Sequence, residues 1–174
     1  RQKGCGVVSI DGGSGTGKSH LAKQLAAVFP AAIVHMDDFF LRPEQRTAAR
    51  FAKPGGNVDR ERFLAEVLLP LRRGEKVFYR RFDCASMQLQ SAVETAPKKL
   101  VVAEGAYSMH PDLAPYYDLS VFLDISPELQ RERISRRNTP EKAKRFFAEW
   151  IPMEQAYFAA FDIPAKCTLR LPIL

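Results

Sequence analysis

Short apolar runs alternate along the chain with segments in which apolar side chains recur at helical spacing. The apolar runs, many of them rich in β-branched residues, predict strands near 7–11, 32–36, 99–104, 119–125 and 168–173. Helical spacing predicts helices near 17–28 and 60–69, and further helices between the fourth and fifth strands. Strands that alternate with helices usually form a parallel sheet with helices on both faces. The pattern therefore predicts an α/β fold.

Three segments add detail to this alternation. Residues 42–58 contain prolines, a glycine pair and scattered charges without periodicity, which is typical of a long functional loop. Residues 76–84 are predicted to form a short extra strand or hairpin outside the main sheet. Aromatic and aliphatic residues at helical spacing over 147–161 predict a long helix packed on the sheet, with an interruption near Ile151 caused by Pro152.

Composition and charge exclude several classes of protein. With 174 residues the chain is long enough for one substantial core, so we expect a single domain over 1–174. No apolar stretch approaches the roughly 20 residues of a membrane helix, and we expect no membrane partner. The net charge of +6 would suit nucleic acid, yet many basic residues lie in 131–145 without a nucleic-acid-binding motif. A phosphate-handling enzyme explains them equally well, so we expect no nucleic-acid partner.

The cysteines and the start of the chain indicate a cellular compartment. Cys5, Cys84 and Cys167 are widely separated and form no C-x-x-C pair, so they predict neither a zinc site nor a disulfide framework. The first predicted strand begins within a few residues of Arg1, and we expect no targeting segment in this chain. These features favour a reducing cytoplasm.

A complete phosphate-binding motif, G-x-x-x-x-G-K-S, follows the first predicted strand. It consists of Gly12, Gly13, Ser14, Gly15, Thr16, Gly17, Lys18 and Ser19. In such a loop the backbone N–H groups turn toward phosphate oxygens, Lys18 contacts the β- and γ-phosphates, and the Ser19 hydroxyl binds Mg²⁺. A glycine-rich turn without a ligand is the alternative, but the motif stands complete between a strand and a helix. The segment therefore predicts a P-loop NTPase.

Two further predicted strands end in carboxylates. In an open α/β sheet, ligands bind outside the carboxyl ends of the strands, so Asp37 would lie beside the phosphate loop. There it could accept the proton of an attacking hydroxyl. Glu104 ends another apolar strand and could help to bind Mg²⁺, as a Walker-B acid does. The alternative is that Asp37 and its neighbour Asp38 cap a helix or turn, and that Glu104 caps a strand end.

A cluster of cations is expected to close over the transferred phosphoryl group, because its equatorial oxygens carry negative charge in the transition state. Three arginines lie on one face of a predicted helix, at positions i, i+3 and i+4: Arg133, Arg136 and Arg137. Arg131 would point to another face. We interpret residues 131–145 as a helical lid, and the alternative is a solvated face balanced by neighbouring glutamates.

These motifs resemble the uridine kinase and phosphoribulokinase group of P-loop kinases, which includes the nicotinamide riboside kinases. The similarity spans nearly the whole chain and is greatest to the uridine kinase-like proteins of bacteria. It implies a doubly wound parallel sheet of five strands, in the order 2-3-1-4-5. It is carried by GGSGTGKS at 12–19, MDDFF at 36–40, PGGNVD at 54–59, VAEGAYS at 102–108 and RERISRR at 131–137.

The resemblance also implies roles for single residues. Asp37 would be the base beside the substrate 5′-hydroxyl, and Asp59 would bind a ribose hydroxyl. Glu104 would help Ser19 to bind Mg²⁺. The lid arginines would contact substrate or phosphates: Arg133 and Arg137 in catalysis together with Lys18, and Arg136 in nucleotide binding.

One departure from the family pattern concerns recognition of the base. Uridine–cytidine kinases carry a Tyr-Asp-Phe segment and a nearby His, whereas this chain has YRRFDC at 79–84 and no His there. Tyr79 and Arg81 are the substrate-contacting candidates in this stretch, within an insertion for substrate binding over about 42–84.

Several functions are compatible with this sequence. The leading hypothesis is an ATP- and Mg²⁺-dependent kinase that phosphorylates the 5′-hydroxyl of a small nucleoside, uridine or cytidine first. The same chemistry on nicotinamide riboside or another small alcohol is the alternative. A GTPase-like switch lacks its Asn-Lys-x-Asp guanine signature here, and a motor ATPase normally needs a longer chain.

Overall fold

A central parallel sheet organises the computed structural model, which describes residues 5–95 and 98–174. Its strands are labelled along the chain together with those of a separate hairpin: β1 (Gly6–Gly12), β2 (Ala31–His35), β3 (Val77–Asp83), β4 (Gln88–Thr95), β5 (Leu100–Glu104), β6 (Leu119–Ile125) and β7 (Leu169–Ile173). Five strands form the sheet in the spatial order β2-β5-β1-β6-β7, and every pair in it is parallel. Counted along these five strands, the order is 2-3-1-4-5, and the prediction is confirmed.

Helices connect the strands and cover both faces of the sheet. They are α1 (Lys18–Val28), α2 (Ala48–Phe51), α3 (Arg60–Phe63), α4 (Leu69–Arg73), α5 (Pro127–Arg137), α6 (Pro140–Arg145), α7 (Ile151–Phe161) and α8 (Ile163–Lys166). The π-helical turns Leu64–Leu68 and Phe146–Trp150 join α3 to α4 and α6 to α7. Among the described residues, no helix is long and apolar enough to cross a membrane.

The core has two parts because successive side chains of a strand point to opposite faces of the sheet. Along β5, Val101 faces the larger part and Val102 the smaller. The larger part includes Phe63 of α3 and Tyr157 of α7, whereas Ala22 of α1 belongs to the smaller part. Strands β1, β2, β5 and β6 are buried or half-buried on both faces, which explains their near-continuous apolar sequences, whereas the edge strand β7 is largely exposed.

Most predicted elements lie within two residues of their predicted bounds, and two local features differ. The segment 42–58 is not entirely irregular, because it contains α2 and a 3₁₀ turn at Pro43–Gln45. The prediction of an extra strand or hairpin outside the main sheet is confirmed by the antiparallel hairpin β3–β4, which forms its own two-stranded sheet. Strand β4 escaped prediction because its side chains are mostly exposed or only half-buried and show no apolar alternation.

The long aromatic helix is present and is interrupted where Pro152 predicted. Helical structure runs through α6, the π-helical turn at Phe146–Trp150 and α7, with Pro152 in the first turn of α7. Proline has no N–H for the helical ladder, and a π-helical turn before it accommodates the missing bond. This helix packs Tyr157 and Phe158 into the core and brings its polar residue Glu154 to the site described next.

Candidate active site

The phosphate loop occupies the turn from β1 into α1. Gly12 has a φ of 144°, and a Cβ there would lie 2.6 Å from the Leu123 carbonyl oxygen, so the close approach of β6 requires glycine. Gly17 has a φ of 92° and caps the start of α1. The Lys18 ammonium donates hydrogen bonds to the Gly12 and Gly13 carbonyl oxygens at 2.8 and 2.9 Å. The Lys18 side chain is thus held close to the backbone of the phosphate loop.

Two side-chain oxygen atoms that could bind a cation lie next to each other beside this loop. The Ser19 hydroxyl donates to Glu104 Oε1 at 2.9 Å, and the same carboxylate oxygen is hydrogen-bonded to His35 Nδ1. Although burial acts to raise the pKa of Glu104, the bonds from His35 and Ser19 hold it below its ordinary value. Oxygen ligands of this kind suit Mg²⁺, which usually binds one or two carboxylates together with substrate phosphates. No cluster of three or more His, Cys, Asp or Glu side chains that could hold a metal occurs in the described part of the chain.

Asp37 lies close to the same oxygens because β2 and β5 are paired in register. His35, the last residue of β2, stands opposite Glu104, and a 3₁₀ turn at Met36–Phe39 then carries Asp37. Partial removal of water raises the pKa of Asp37, and Glu104 acts in the same direction, while Lys18 opposes the shift. The described residues offer Asp37 no ion pair, and its side chain stays accessible to solvent. The sheet therefore brings Asp37, Glu104 and Lys18 together at one edge.

The neighbouring carboxylate, Asp38, has different partners. Its Oδ2 accepts a hydrogen bond from the Tyr79 hydroxyl at 3.2 Å and lies 3.4 Å from Arg81 Nε. Both partners belong to β3, so the hairpin is tied to the turn that carries Asp37. Tyr79 is buried against Phe39 with ring centroids 5.2 Å apart, whereas the Arg81 side chain is about half exposed.

Asp59 is buried at the start of α3. Its Oδ1 accepts a hydrogen bond from the Arg62 backbone N–H at 3.1 Å, which makes it the helix cap. Its Oδ2 lies 3.5 Å from the Nε atoms of Arg42 and Arg62 and accepts no hydrogen bond from the described residues. Buried oxygens are seldom left without a donor, and the guanidinium groups of Arg42 and Arg62 are the nearest polar partners of this one.

The three predicted lid arginines have different surroundings. Arg133 donates to the Gly15 carbonyl oxygen of the phosphate loop at 3.3 Å. Arg136 is exposed, and the Arg137 guanidinium lies 5.5 Å from the centre of the Phe146 ring. Arg131 packs at 4.3 Å over the Phe147 ring. The helical segment is broken after α5, with Asn138 ending that helix and Thr139 capping α6.

Two buried acids at the loop were not predicted as site residues. Asp11, at the end of β1, accepts hydrogen bonds from the backbone N–H groups of Gly12 and Met109 and from the Tyr157 hydroxyl. Burial raises its pKa to about 6 despite these bonds. Glu154, from α7, accepts two hydrogen bonds from Ser14. The sequence offered one indication for each residue. Asp11 directly precedes the first glycine of the loop, and Glu154 is an acid within the apolar stripe of a helix.

All three cysteines are free thiols.

Comparisons with known proteins agree with this geometry. The profile of the "Phosphoribulokinase / Uridine kinase family" matches residues 7–145. A thymidylate kinase from Methylobacillus flagellatus is 37% identical over 92 residues, a match that spans 52% of this chain and only 44% of that protein.

Two solved structures have the same fold. One, described as a candidate fructose transport system kinase from Silicibacter sp. TM1040, superposes with a TM-score of 0.78 at 26% identity, covering 99% of this chain and 92% of that one. A possible uridine kinase from Bacillus stearothermophilus gives a TM-score of 0.73 at 18% identity, with coverage of 98% and 90%. With its phosphate loop, its two strand-end carboxylates and its strand order, the chain belongs to the phosphoribulokinase and uridine kinase family of P-loop kinases.

Proposed function

We propose that this protein transfers the γ-phosphoryl group of ATP to the 5′-hydroxyl of a nucleoside, with uridine and cytidine as the first candidates. The observation that carries the proposal is the position of Asp37: a carboxylate without an ion pair among the described residues, beside Lys18 and Glu104. A kinase needs a base near the attacking hydroxyl. Asp37 is free to act as this base, because the adjacent carboxylate, Asp38, already interacts with Tyr79 and Arg81.

Each residue of this edge has a distinct task in the proposal. Asp37 accepts the proton of the attacking hydroxyl, and its raised pKa makes it a better base. Lys18 and Arg133 place positive charge where the phosphoryl oxygens gain negative charge. Ser19 and Glu104 would hold Mg²⁺, which when bound neutralises phosphate charge and orients the β- and γ-phosphates.

The acceptor side supports a substrate rich in hydroxyl groups. Asp59 Oδ2 is buried and lacks a donor among the described residues, and a ribose hydroxyl would supply one. Tyr79 and Arg81 stand on β3 near the Asp38 carboxylate and would contact the remainder of the substrate. Arg136 and Arg137 would complete the lid over the nucleotide.

A different acceptor is favoured by one observation on the same hairpin. The segment 79–84 places Arg81 3.4 Å from Asp38 and contains no histidine for a pyrimidine ring. Nicotinamide riboside, or another small alcohol, is therefore the second candidate with the same chemistry. A cytoplasmic location goes with either proposal, because ATP is available there and the three thiols are free.

The test is a coupled assay of ADP release with ATP, Mg²⁺ and a panel of acceptors: uridine, cytidine, nicotinamide riboside and simple polyols. We expect one pyrimidine nucleoside to give the highest kcat/KM, and Asp37→Asn to remove the signal. Turnover of nicotinamide riboside or a polyol alone would replace the acceptor in the proposal. ATP hydrolysis that no acceptor stimulates would overturn the kinase assignment of the site.

A further inference from the structure

The apex of the phosphate loop is held by side chains from two distant helices. The Ser14 backbone N–H donates to Glu154 Oε2 at 2.9 Å, and the Ser14 hydroxyl donates to Glu154 Oε1 at 2.6 Å. On the other side, Gln130 Nε2 donates to the Ser14 carbonyl oxygen at 2.8 Å. All the polar atoms of Ser14 therefore have partners from α5 or α7.

Glu154 is an unusual choice for this position, because it places a carboxylate close to a site for anions. The residue is 4% exposed, and burial raises its pKa, while Lys18 and the bonds from Ser14 act in the opposite direction. Burying a carboxylate is costly unless it is hydrogen-bonded. Ser14 offers two donors at once, and a carboxylate is the side chain with two acceptor oxygens to receive both.

The loop sequence is adapted to this contact. A Cβ on Gly13 would lie 2.8 Å from Gln130 Nε2 and 3.5 Å from Glu154 Oε2, so a side chain at this position would push Gln130 aside. The same helix α7 also reaches the start of the loop, since the Tyr157 hydroxyl donates to Asp11 Oδ2 at 2.8 Å. Asp11 Oδ1 in turn accepts from the Gly12 N–H at 2.7 Å. Helix α7 thus holds the loop at two points.

We propose that Glu154 is a positioning residue for nucleotide binding, which fixes Ser14 and keeps the loop apex in the conformation that receives the phosphates. The glutamate touches the loop and acts through it. The proposal rests on the phosphate loop as the nucleotide site and is independent of which acceptor is phosphorylated. With Ser14 fixed, the other N–H groups of the loop need no reorganisation when the phosphates arrive, so loss of the contact weakens binding.

The experiment measures the affinity for Mg²⁺–ATP by titration calorimetry without any acceptor, together with the melting temperature. Glu154→Ala should raise Kd by about 10- to 100-fold, since hydrogen bonds to a charged group are lost. Glu154→Gln keeps one acceptor oxygen and should restore part of the affinity. The matched control is Gln155→Ala, an exposed neighbour on the same helix, which should bind like the parent.

A double-mutant cycle separates positioning from a general loss of stability. Ser14→Ala removes only the hydroxyl donor from a loop residue, and so does not depend on how well a core variant folds. If Glu154 acts through Ser14, the combined variant should lose much less affinity than the two single losses multiplied together. A folded Glu154→Ala protein with parental Kd, or fully multiplicative losses, would overturn the proposal.

Lys18→Ala serves as the reference for the site itself. It should weaken Mg²⁺–ATP binding whatever the role of Glu154. Parental affinity in Lys18→Ala would overturn the assignment of the loop as the nucleotide site, and the proposal for Glu154 with it. Failure of the acceptor panel alone would leave these binding results unchanged, so the two failures can be told apart.

Discussion

The nucleotide side and the acceptor side of this site are built in different ways. The phosphate loop is one continuous segment between a core strand and a helix, and its backbone is braced by buried side chains such as Asp11 and Glu154. The proposed acceptor side is assembled from the turn after β2, the start of α3 and the hairpin β3–β4, and it includes a buried oxygen of Asp59 that accepts no hydrogen bond from the described residues.

This difference separates what a family shares from what distinguishes its members. A triphosphate presents the same charges to every kinase, so a rigid loop with satisfied hydrogen bonds suits it. An acceptor differs from one enzyme to the next, and recognition needs polar atoms that the protein itself leaves available. We therefore expect substitutions on the nucleotide side to affect every acceptor, and those on the acceptor side to change the choice among them.

The largest effect is expected on the nucleotide side, for Lys18→Ala. The variant should lose turnover with every acceptor, because the ammonium that would contact the β- and γ-phosphates is removed from a loop outside the core. Initial rates of ADP release measure this loss, and circular dichroism should show a native fold. Ser19→Ala should behave alike. A Lys18→Ala rate close to that of the parent would contradict the assignment of the loop.

The next effect distinguishes the two adjacent carboxylates at the boundary of the two sides. Asp37→Asn should lower kcat by roughly 10²–10⁴, the usual contribution of a positioned proton acceptor, with a smaller change in the affinity for ATP. Asp38→Asn should have less effect on kcat, because Asp38 interacts with Tyr79 and Arg81. Steady-state kinetics of both variants provide the test. Equal losses, or a loss confined to ATP binding, would remove the base role from Asp37.

The lid provides a comparison within one helix, α5. Arg133→Ala should lower kcat and kcat/KM together by more than about tenfold, because the guanidinium reaches the phosphate loop and would stabilise charge in the transition state. Arg131→Ala should keep most of its activity and lose about 0.5–1 kcal/mol of stability with the Phe147 contact. Measuring kcat and thermal melting side by side decides between them. Indistinguishable kcat values would return Arg133 to an ordinary surface role.

The smallest effect concerns the pH dependence of stability and the buried Asp11. Its pKa of about 6 in the fold exceeds the ordinary value of 3.8, so the folded protein binds the proton first as the pH falls. Between pH 7 and pH 5 the parent should therefore gain about 1 kcal/mol of stability relative to Asp11→Asn, and lose it again as the pH rises through 6. Urea unfolding of both proteins at the two pH values measures this gain.

His110 also makes the stability of the parent depend on pH, so the parent must be compared with Asp11→Asn rather than measured alone. Burial and the nearby Arg60 lower its pKa to about 4, so acidification below the ordinary value of 6.5 protonates the unfolded chain first and destabilises the fold. This contribution is common to both proteins and cancels in the difference. A carbon-13 titration of the Asp11 carboxyl with a midpoint near 4 would contradict the prediction directly.

Local sequence was sufficient to predict much of the nucleotide side. The motif at 12–19 lies in one stretch, and the buried parallel strands have apolar sequences that identify them without knowledge of their partners. The carboxylates Asp37 and Glu104 were predictable as neighbours, because a parallel sheet brings the ends of its strands to one edge. Strand order, by contrast, came from resemblance to a family rather than from periodicity.

The remaining features depend on contacts between residues far apart in the chain. Strand β4 and helix α2 carry few buried side chains, so their sequences show little hydrophobic periodicity. Contacts with neighbouring segments, rather than their own sequence patterns, stabilise them. The pairing of Glu154 with Ser14 joins residues 140 positions apart, and only packing of α7 against the sheet brings them together. A lone acid in an apolar stripe shows that a partner is needed, but it does not say which.

The sequence by itself thus determined that this chain is an α/β protein with a phosphate loop, because hydrophobic period and a contiguous motif are local properties. Tertiary structure decided which side chains hydrogen-bond to the loop, and which of two neighbouring carboxylates stays accessible while the other is hydrogen-bonded. It also decided that Arg133 contacts the phosphate loop whereas Arg131 packs on an aromatic ring. These contacts form when the helices pack on the sheet and bring distant side chains together. The sequence pattern alone does not show which side chains will then be buried or hydrogen-bonded to one another.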